Sequence, residues 1–172
     1  MAQEVGARLG ECKILFRPVP PGEGRRRVTK LDFWQVTDDP VEKVVALIAR
    51  RVRDEGARLL VVSADAAQRE SISRALWQAG PESFLAHGEA GATGAERQPI
   101  LLSDDVAAPN GASHLVLADG RFREAAGFAR VFLLFPPDGA PHAREAWSAQ
   151  DGREDVERAY FAQENGRWVK KR

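Results

Sequence analysis

The chain has 172 residues and a mass of 18.9 kDa, the size of one domain, and its 44% hydrophobic and 29% charged content suits a folded, globular protein. Twenty-five basic residues balance twenty-five acidic ones, but residues 1–27 hold six basic against three acidic, so the remainder is net acidic and is not drawn to a phosphate backbone at long range. The longest apolar run, Val44 to Ala49, is far short of the roughly 20 residues of a membrane helix. The opening residues lack the apolar stretch of a secretory signal, and Cys12 is the single cysteine; a reducing cytoplasm is expected, with no disulfide, no multi-cysteine zinc site and no membrane contact.

Residues 1–30 carry neither helical nor strand periodicity, and the Pro-rich stretch from Arg17 to Gly24 followed by Arg25, Arg26 and Arg27 reads as an extended N-terminal extension. Residues 31–172 read as one domain. Leu31 to Val36 is β-prone and bounded by Thr37, Asp38, Asp39 and Pro40. A helix follows: Asp39 as N-cap, Pro40 at the first position and Glu42 in a capping box, with Val41, Val44, Val45, Ile48 and Val52 on one face until Gly56. Arg58 to Val62 is a continuous apolar run of the kind buried on both faces of a parallel sheet. Asp65 caps a second helix whose stripe is Ile72, Ala75, Leu76 and Ala79, ended by Gly80 and Pro81.

Gly88 to Gln98 reads as a surface loop. Pro99 to Ser103 and His114 to Ala118 are two further strands, a short helix is expected around Arg123 to Phe128, and Val131 to Phe135 is the most hydrophobic strand. Pro136 and Pro137 stop it, and a helix from about Pro141 to Gln150 turns Ala143, Ala146 and Trp147 inward. Asn165 and Gly166 between Tyr160–Glu164 and Arg167–Lys170 mark a hairpin, because both turn positions need positive φ. Strands alternating with helices predict an α/β fold: a three-layer, mostly parallel twisted sheet of Rossmann-like, nucleotide-binding-like topology with a C-terminal antiparallel hairpin.

The chemistry usual for such a sheet is missing. There is no Gly-Lys dipeptide for a phosphate loop, and the first strand leads into two aspartates that repel pyrophosphate. His87, His114 and His142 are dispersed, so no metal site is expected. Asp38-Asp39 and Asp104-Asp105 fit capping and turn roles, and no serine sits in a G-x-S-x-G elbow. Elimination favours a binding module without cofactor over an enzyme. An α/β enzyme with a degenerate nucleotide pocket and a direct single-stranded DNA binder through the basic leader and tail are the alternatives.

Ala75-Leu76-Trp77, followed by Pro81 to Gly88 with its Glu82-Ser83-Phe84 and His87, resembles the chi subunit of bacterial DNA polymerase III, both in residues and in spacing. The likeness continues through Phe135-Pro136, Ala143-Arg144-Glu145 with Trp147, and the segment from Asn165 to Lys171; residues 89–130 match mainly in pattern. It implies a non-catalytic replication subunit of the clamp-loader assembly that binds the C-terminal tail of single-stranded DNA-binding protein and, in many bacteria, the psi subunit, meeting nucleic acid only indirectly. That tail ends in acidic residues and a Pro-Phe terminus, so its receptor needs an apolar pocket, a planar cation and a basic rim. The resemblance implies Arg144 as carboxylate clamp, Trp147 and Phe135 as pocket walls, and Phe84 near Trp77 as the psi-facing surface. Ala140, Pro141 and Ser148 stand where the family often adds lysines, and Arg167, Lys170, Lys171 and Arg172 on the closing hairpin are the candidates to supply the rim.

Overall fold

Residues 28–80 and 82–172 are described by a computed structural model; Cys12, the basic triplet and Pro81 lie outside the described residues. The chain runs β1 (Thr29–Gln35), α1 (Val41–Asp54), β2 (Leu59–Val62), α2 (Ala66–Gln78), β3 (His87–Glu89), β4 (Ile100–Ser103), β5 (His114–Leu117), β6 (Arg130–Phe135), α3 (Ala140–Ser148), β7 (Val156–Glu164) and β8 (Arg167–Lys170). The strands form one sheet in the order β3-β4-β2-β5-β6-β1-β7-β8, parallel throughout except for β8, which turns back on β7. The expected α/β class, mostly parallel sheet and C-terminal hairpin are all present. Asn165 at φ 52° and Gly166 at φ 72° form the hairpin turn.

Strand order decides which face each connection covers. The connections from β1 to β2 and from β2 to β3 run toward the β3 edge; those from β4 to β5, β5 to β6 and β6 to β7 run the other way. Parallel crossovers are right-handed, so the two directions require opposite faces. The core divides accordingly. Val44, Val45, Ile48 and Val52 of α1 and Ile72 and Leu76 of α2 pack with Trp34, Val61, Val116 and Phe132. On the other face, Ala143 and Ala146 of α3 and loop residues Ala112 and Phe128 pack with Phe33, Leu60, Leu115, Leu133 and Phe135. β2 is buried along its whole length, as its unbroken apolar run requires.

Three local expectations are corrected. α1 has no side-chain cap: Pro40 is its N-cap, and the Asp39 carboxylate accepts instead from Gln163 Nε2 at 2.8 Å. Gln163 Oε1 in turn accepts the amides of Thr37 and Asp38 at 2.9 Å, so a β7 side chain closes the β1–α1 turn. The Gly88–Gln98 segment is not all loop, since His87–Glu89 pairs with β4 as a short parallel edge and Ala95–Arg97 makes one 3₁₀ turn. The helix expected near Arg123–Phe128 is absent: Gly127 sits at φ 92° and the Arg123 side chain is drawn to Asp119. The Asp65 cap holds, accepting from the Ala67 amide at 2.9 Å, and β1 begins at Thr29, two residues ahead of its predicted start.

Candidate functional site

Phe135 closes β6 and is buried; Pro136 and a 3₁₀ turn over Pro137–Gly139 redirect the chain into α3. Ala143 and Ala146 dock that helix on the sheet, which leaves Arg144 exposed and Trp147 half-buried over the C-terminal parts of β1 and β7. A cavity of about 450 Å³ opens there. Its walls are Phe33, Phe135, Trp147 and Tyr160, with Gln35, Ala140, Ala143, Arg144, Ser148 and Arg172 around them. Trp147 is held from two sides, by Phe33 with ring centroids 5.0 Å apart and by the Arg158 guanidinium 4.8 Å from its ring. Arg158 also donates to the Trp147 carbonyl and to Asp151 Oδ1 at 2.7 Å, so its charge is committed.

The polar character of the cavity is one-sided. Tyr160 donates its hydroxyl to Gln35 Oε1, and the Gln35 amide nitrogen has no acceptor among the described residues. The Arg144 and Arg172 guanidinium groups likewise have no hydrogen-bond or ion-pair partner there. No aspartate or glutamate side chain lines the cavity. Aromatic walls with two uncommitted guanidinium groups and a free amide suit an aromatic ligand carrying negative charge.

The predicted residues fall into three places. Arg144, Trp147 and Phe135 come together in this cavity. Arg167, Lys170 and Lys171 are not among its lining residues, and the Lys171 ammonium is paired with Glu164; Arg172 is the hairpin cation in the wall. Trp77 and Phe84 lie elsewhere, at 62% and 63% exposure the two most exposed large apolar side chains among the described residues. Their rings meet edge to face at 6.0 Å beside His87, whose ring lies 5.0 Å from Trp77. His87 bonds the Leu85 carbonyl through Nδ1 and the Ser73 hydroxyl through Nε2, and Arg53 donates to the Phe84 carbonyl, so the patch is built rather than loose. Of the hairpin cations expected to supply the rim, Arg172 alone is in the wall; Phe33, Gln35 and Tyr160 carry no sequence signal of their own as site residues, and what finds them is the β1–β7 register, which sets Phe33 beside Tyr160.

At the carboxyl ends of β2 and β5, where open α/β sheets often take phosphate, a carboxylate stands instead. Asp119 accepts the Ala64 amide at 3.0 Å and the Arg121 amide at 3.2 Å, and Arg123 grips both of its oxygens at 2.8 and 2.7 Å. Burial would raise its pKa, but the Arg123 bonds and the two amides outweigh that and hold the carboxyl below the ordinary range. On the α1 face, burial raises the pKa of Asp32 despite its 2.6 Å ion pair with Arg130, and burial lowers that of His114 despite Glu55 at 3.7 Å. Among the described residues no group of three or more His, Cys, Asp or Glu side chains is placed to hold a metal ion, and no helix is long and apolar enough to cross a membrane.

A family model described as DNA polymerase III chi subunit, HolC, matches residues 28–154 of the chain. No curated protein matches it significantly.

Proposed function

Because the chain belongs to the DNA polymerase III chi subunit family, and so to the accessory subunits of DNA replication, we propose that it is a non-catalytic adaptor of the clamp-loader assembly that docks the C-terminal tail of single-stranded DNA-binding protein in the cavity beside α3. The observation that carries this reading is the pairing of aromatic walls with unpartnered guanidinium groups in a hollow lined by no aspartate or glutamate side chain. The terminal phenyl ring enters between Trp147, Phe33 and Phe135, and Arg144 takes the terminal carboxylate.

Burying a phenyl side chain contributes about 1.5–3 kcal/mol, and charge-assisted hydrogen bonds about as much again. After association costs, binding near the micromolar range, about −8 kcal/mol, is the expected strength. The second proposed contact is a psi-like clamp-loader component on the Trp77–Phe84 patch, where two exposed rings offer the anchors typical of an interface. Nucleic acid is then met only through the partner, in the cytoplasm. The carboxylate at the β2–β5 edge supports an adaptor over a nucleotide-using enzyme, because Asp119 already takes the Ala64 amide and would repel a phosphate.

The test is titration of the full chain with a fluorescent peptide ending in acidic residues and Pro-Phe. Micromolar binding that weakens at least tenfold in Arg144→Ala is expected, since a lost charge-assisted pair is worth about 1.5–3 kcal/mol. Absence of binding by the unmodified protein at low salt would refute the proposal.

A further inference from the structure

We infer that the groove between α1 and the β7–β8 hairpin, on the face opposite the α3 cavity, is a docking site for this chain's own residues 18–23, Pro-Val-Pro-Pro-Gly-Glu, which lie outside the described residues. The groove encloses about 580 Å³ and its walls are aromatic: Trp34, Phe132, Phe161 and Trp168. The helical connections on this face run from β1 toward the β3 edge, so no helix among the described residues lies over β7 and β8 here. Trp34 is the centre of the cluster, with ring centroids 4.4 Å from Trp168, 5.3 Å from Phe161 and 5.9 Å from Phe132. Its side chain is buried, yet Nε1 has no acceptor among the described residues.

The missing acceptor and the free rim charges define the occupant. On α1, the Arg50 and Arg51 guanidinium groups are exposed and have no hydrogen-bond or ion-pair partner among the described residues, whereas Arg130 is held by Asp32 and Glu55 by His114. A buried indole N–H needs an acceptor. Helix carbonyls are committed to their own ladder, but an extended segment with prolines keeps its carbonyls free and lays pyrrolidine rings against aromatic walls. Residues 18–23 supply both, with Glu23 as counter-charge for Arg50 and Arg51, and the following Arg25, Arg26 and Arg27 complement Asp54, also unpaired on the rim. The tether fits as well. Arg130 and His114, at the amino-terminal ends of β6 and β5, line the groove, and Lys30 pairs with Arg130, so the chain enters β1 one strand away. Trp34 stands six residues into the chain from Val28, about 20 Å along the strand, and the seven residues from Pro21 to Val28 span up to about 23 Å, with Gly22 and Gly24 to permit the reversal. A tether this short holds the segment at roughly millimolar local concentration, enough for contacts too weak to form between separate molecules.

The test uses the full chain with a nitroxide on Cys12, its single cysteine, six residues before Pro18. The indole N–H signals of Trp34 and Trp168 are expected to lose roughly half or more of their intensity, because docking of residues 18–23 keeps the label within reach of them, while those of Trp77 at the β3 edge and Trp147 across the sheet lose much less. Joint replacement Pro18→Ser, Pro20→Ser, Pro21→Ser and Glu23→Gln is expected to restore the Trp34 and Trp168 signals and to speed solvent exchange of the Trp34 indole proton roughly tenfold. Arg50→Gln with Arg51→Gln is expected to restore the signals in part, with unchanged thermal unfolding, since both side chains are exposed and unpartnered. Equal broadening of all four indoles, broadening of none, or broadening of Trp34 and Trp168 that survives the proline substitutions overturns the inference. So does broadening of isotope-labelled chains by a separate nitroxide-bearing copy, which would put a second molecule's segment in the groove. Tail docking on the opposite face stands or falls independently of each of these results.

Discussion

Asp119→Asn removes one charge from the carboxyl edge of the sheet and leaves the shape nearly unchanged. In the folded protein that carboxylate accepts two backbone amides and a bidentate Arg123, with the Asp119 side chain 10% and the Arg123 side chain 22% exposed. Asparagine keeps one accepting oxygen but turns an amide N–H toward a guanidinium, so the two charge-assisted bonds to Arg123 cannot both survive. Removing one member of a fully buried pair costs about 3–5 kcal/mol; Arg123 retains access to water, which brings the expected loss to about 2–3 kcal/mol at pH 7. For a domain of this size that corresponds to a melting temperature lower by about 5–10 °C. Urea unfolding from pH 8 to pH 3 measures it. The folded pKa of Asp119 lies below its unfolded value, so the contribution is complete well above the ordinary aspartate pKa of 3.8 and disappears as pH falls through the folded value. The gap between the two proteins should stay constant from pH 8 to about 5 and begin to narrow below about 4. A gap under about 0.5 kcal/mol at neutral pH, or one that does not narrow between pH 5 and pH 3, would refute the account of this edge. In the same assay, millimolar nucleoside phosphates should leave the melting temperature of the unmodified protein unchanged.

His114, whose pKa burial lowers from 6.5, takes up protons in the unfolded chain first, so stability should fall as pH drops below about 6.5 toward the folded value. His114→Gln should flatten the pH 5–7 segment of the stability curve, and an unchanged slope would assign that segment to other groups. Asn165→Ala should cost about 1 kcal/mol by forcing a side chain without local hydrogen bonding to hold φ 52°, read as a lower urea midpoint with an unchanged m-value.

Much of the fold was legible because it is local. The five apolar positions of α1 fall at helical spacing, Leu59–Val62 is an unbroken apolar run, and Asn165-Gly166 has a single low-energy use. The missed features depend on distant partners. Asp39 is a good cap in its own context, and only the arrival of Gln163, 124 residues later, takes its carboxylate away. β3 has three residues with a glycine at its centre, too short for any periodicity, and is a strand only because β4 pairs with it. The site divides in the same way. Arg144 and Trp147 stand three apart on one helix, a spacing visible in sequence. Phe33, Gln35, Tyr160 and Arg172 join them because β7 pairs in parallel with β1 and brings β8 with it, a sheet order that no local pattern encodes.

The right-handed crossovers that divide the core also separate the two proposed docking surfaces. Trp77 sits on α2 and packs beside His87 at the β3 edge, whereas the Arg144–Trp147 cavity lies on the opposite face over β1 and β7. From β3 to β1 the order crosses five strand spacings, about 24 Å at 4.8 Å each, with the sheet itself between. A tail of a few residues in one site cannot reach the other, and neither site shares a lining side chain with the other. Both partners should therefore bind at once and without energetic coupling, which is the requirement for a bridge. The measurement is tail-peptide affinity of the full chain before and after replacement of both exposed rings, Trp77→Ser with Phe84→Ser. These substitutions should abolish capture of a psi-like component and leave the tail-peptide Kd within about twofold, since sites this far apart with no common partners add within about 0.5 kcal/mol. A tenfold change in Kd would mean that the sheet transmits the occupancy of one face to the other, and the two-surface bridge would have to be replaced by a coupled switch.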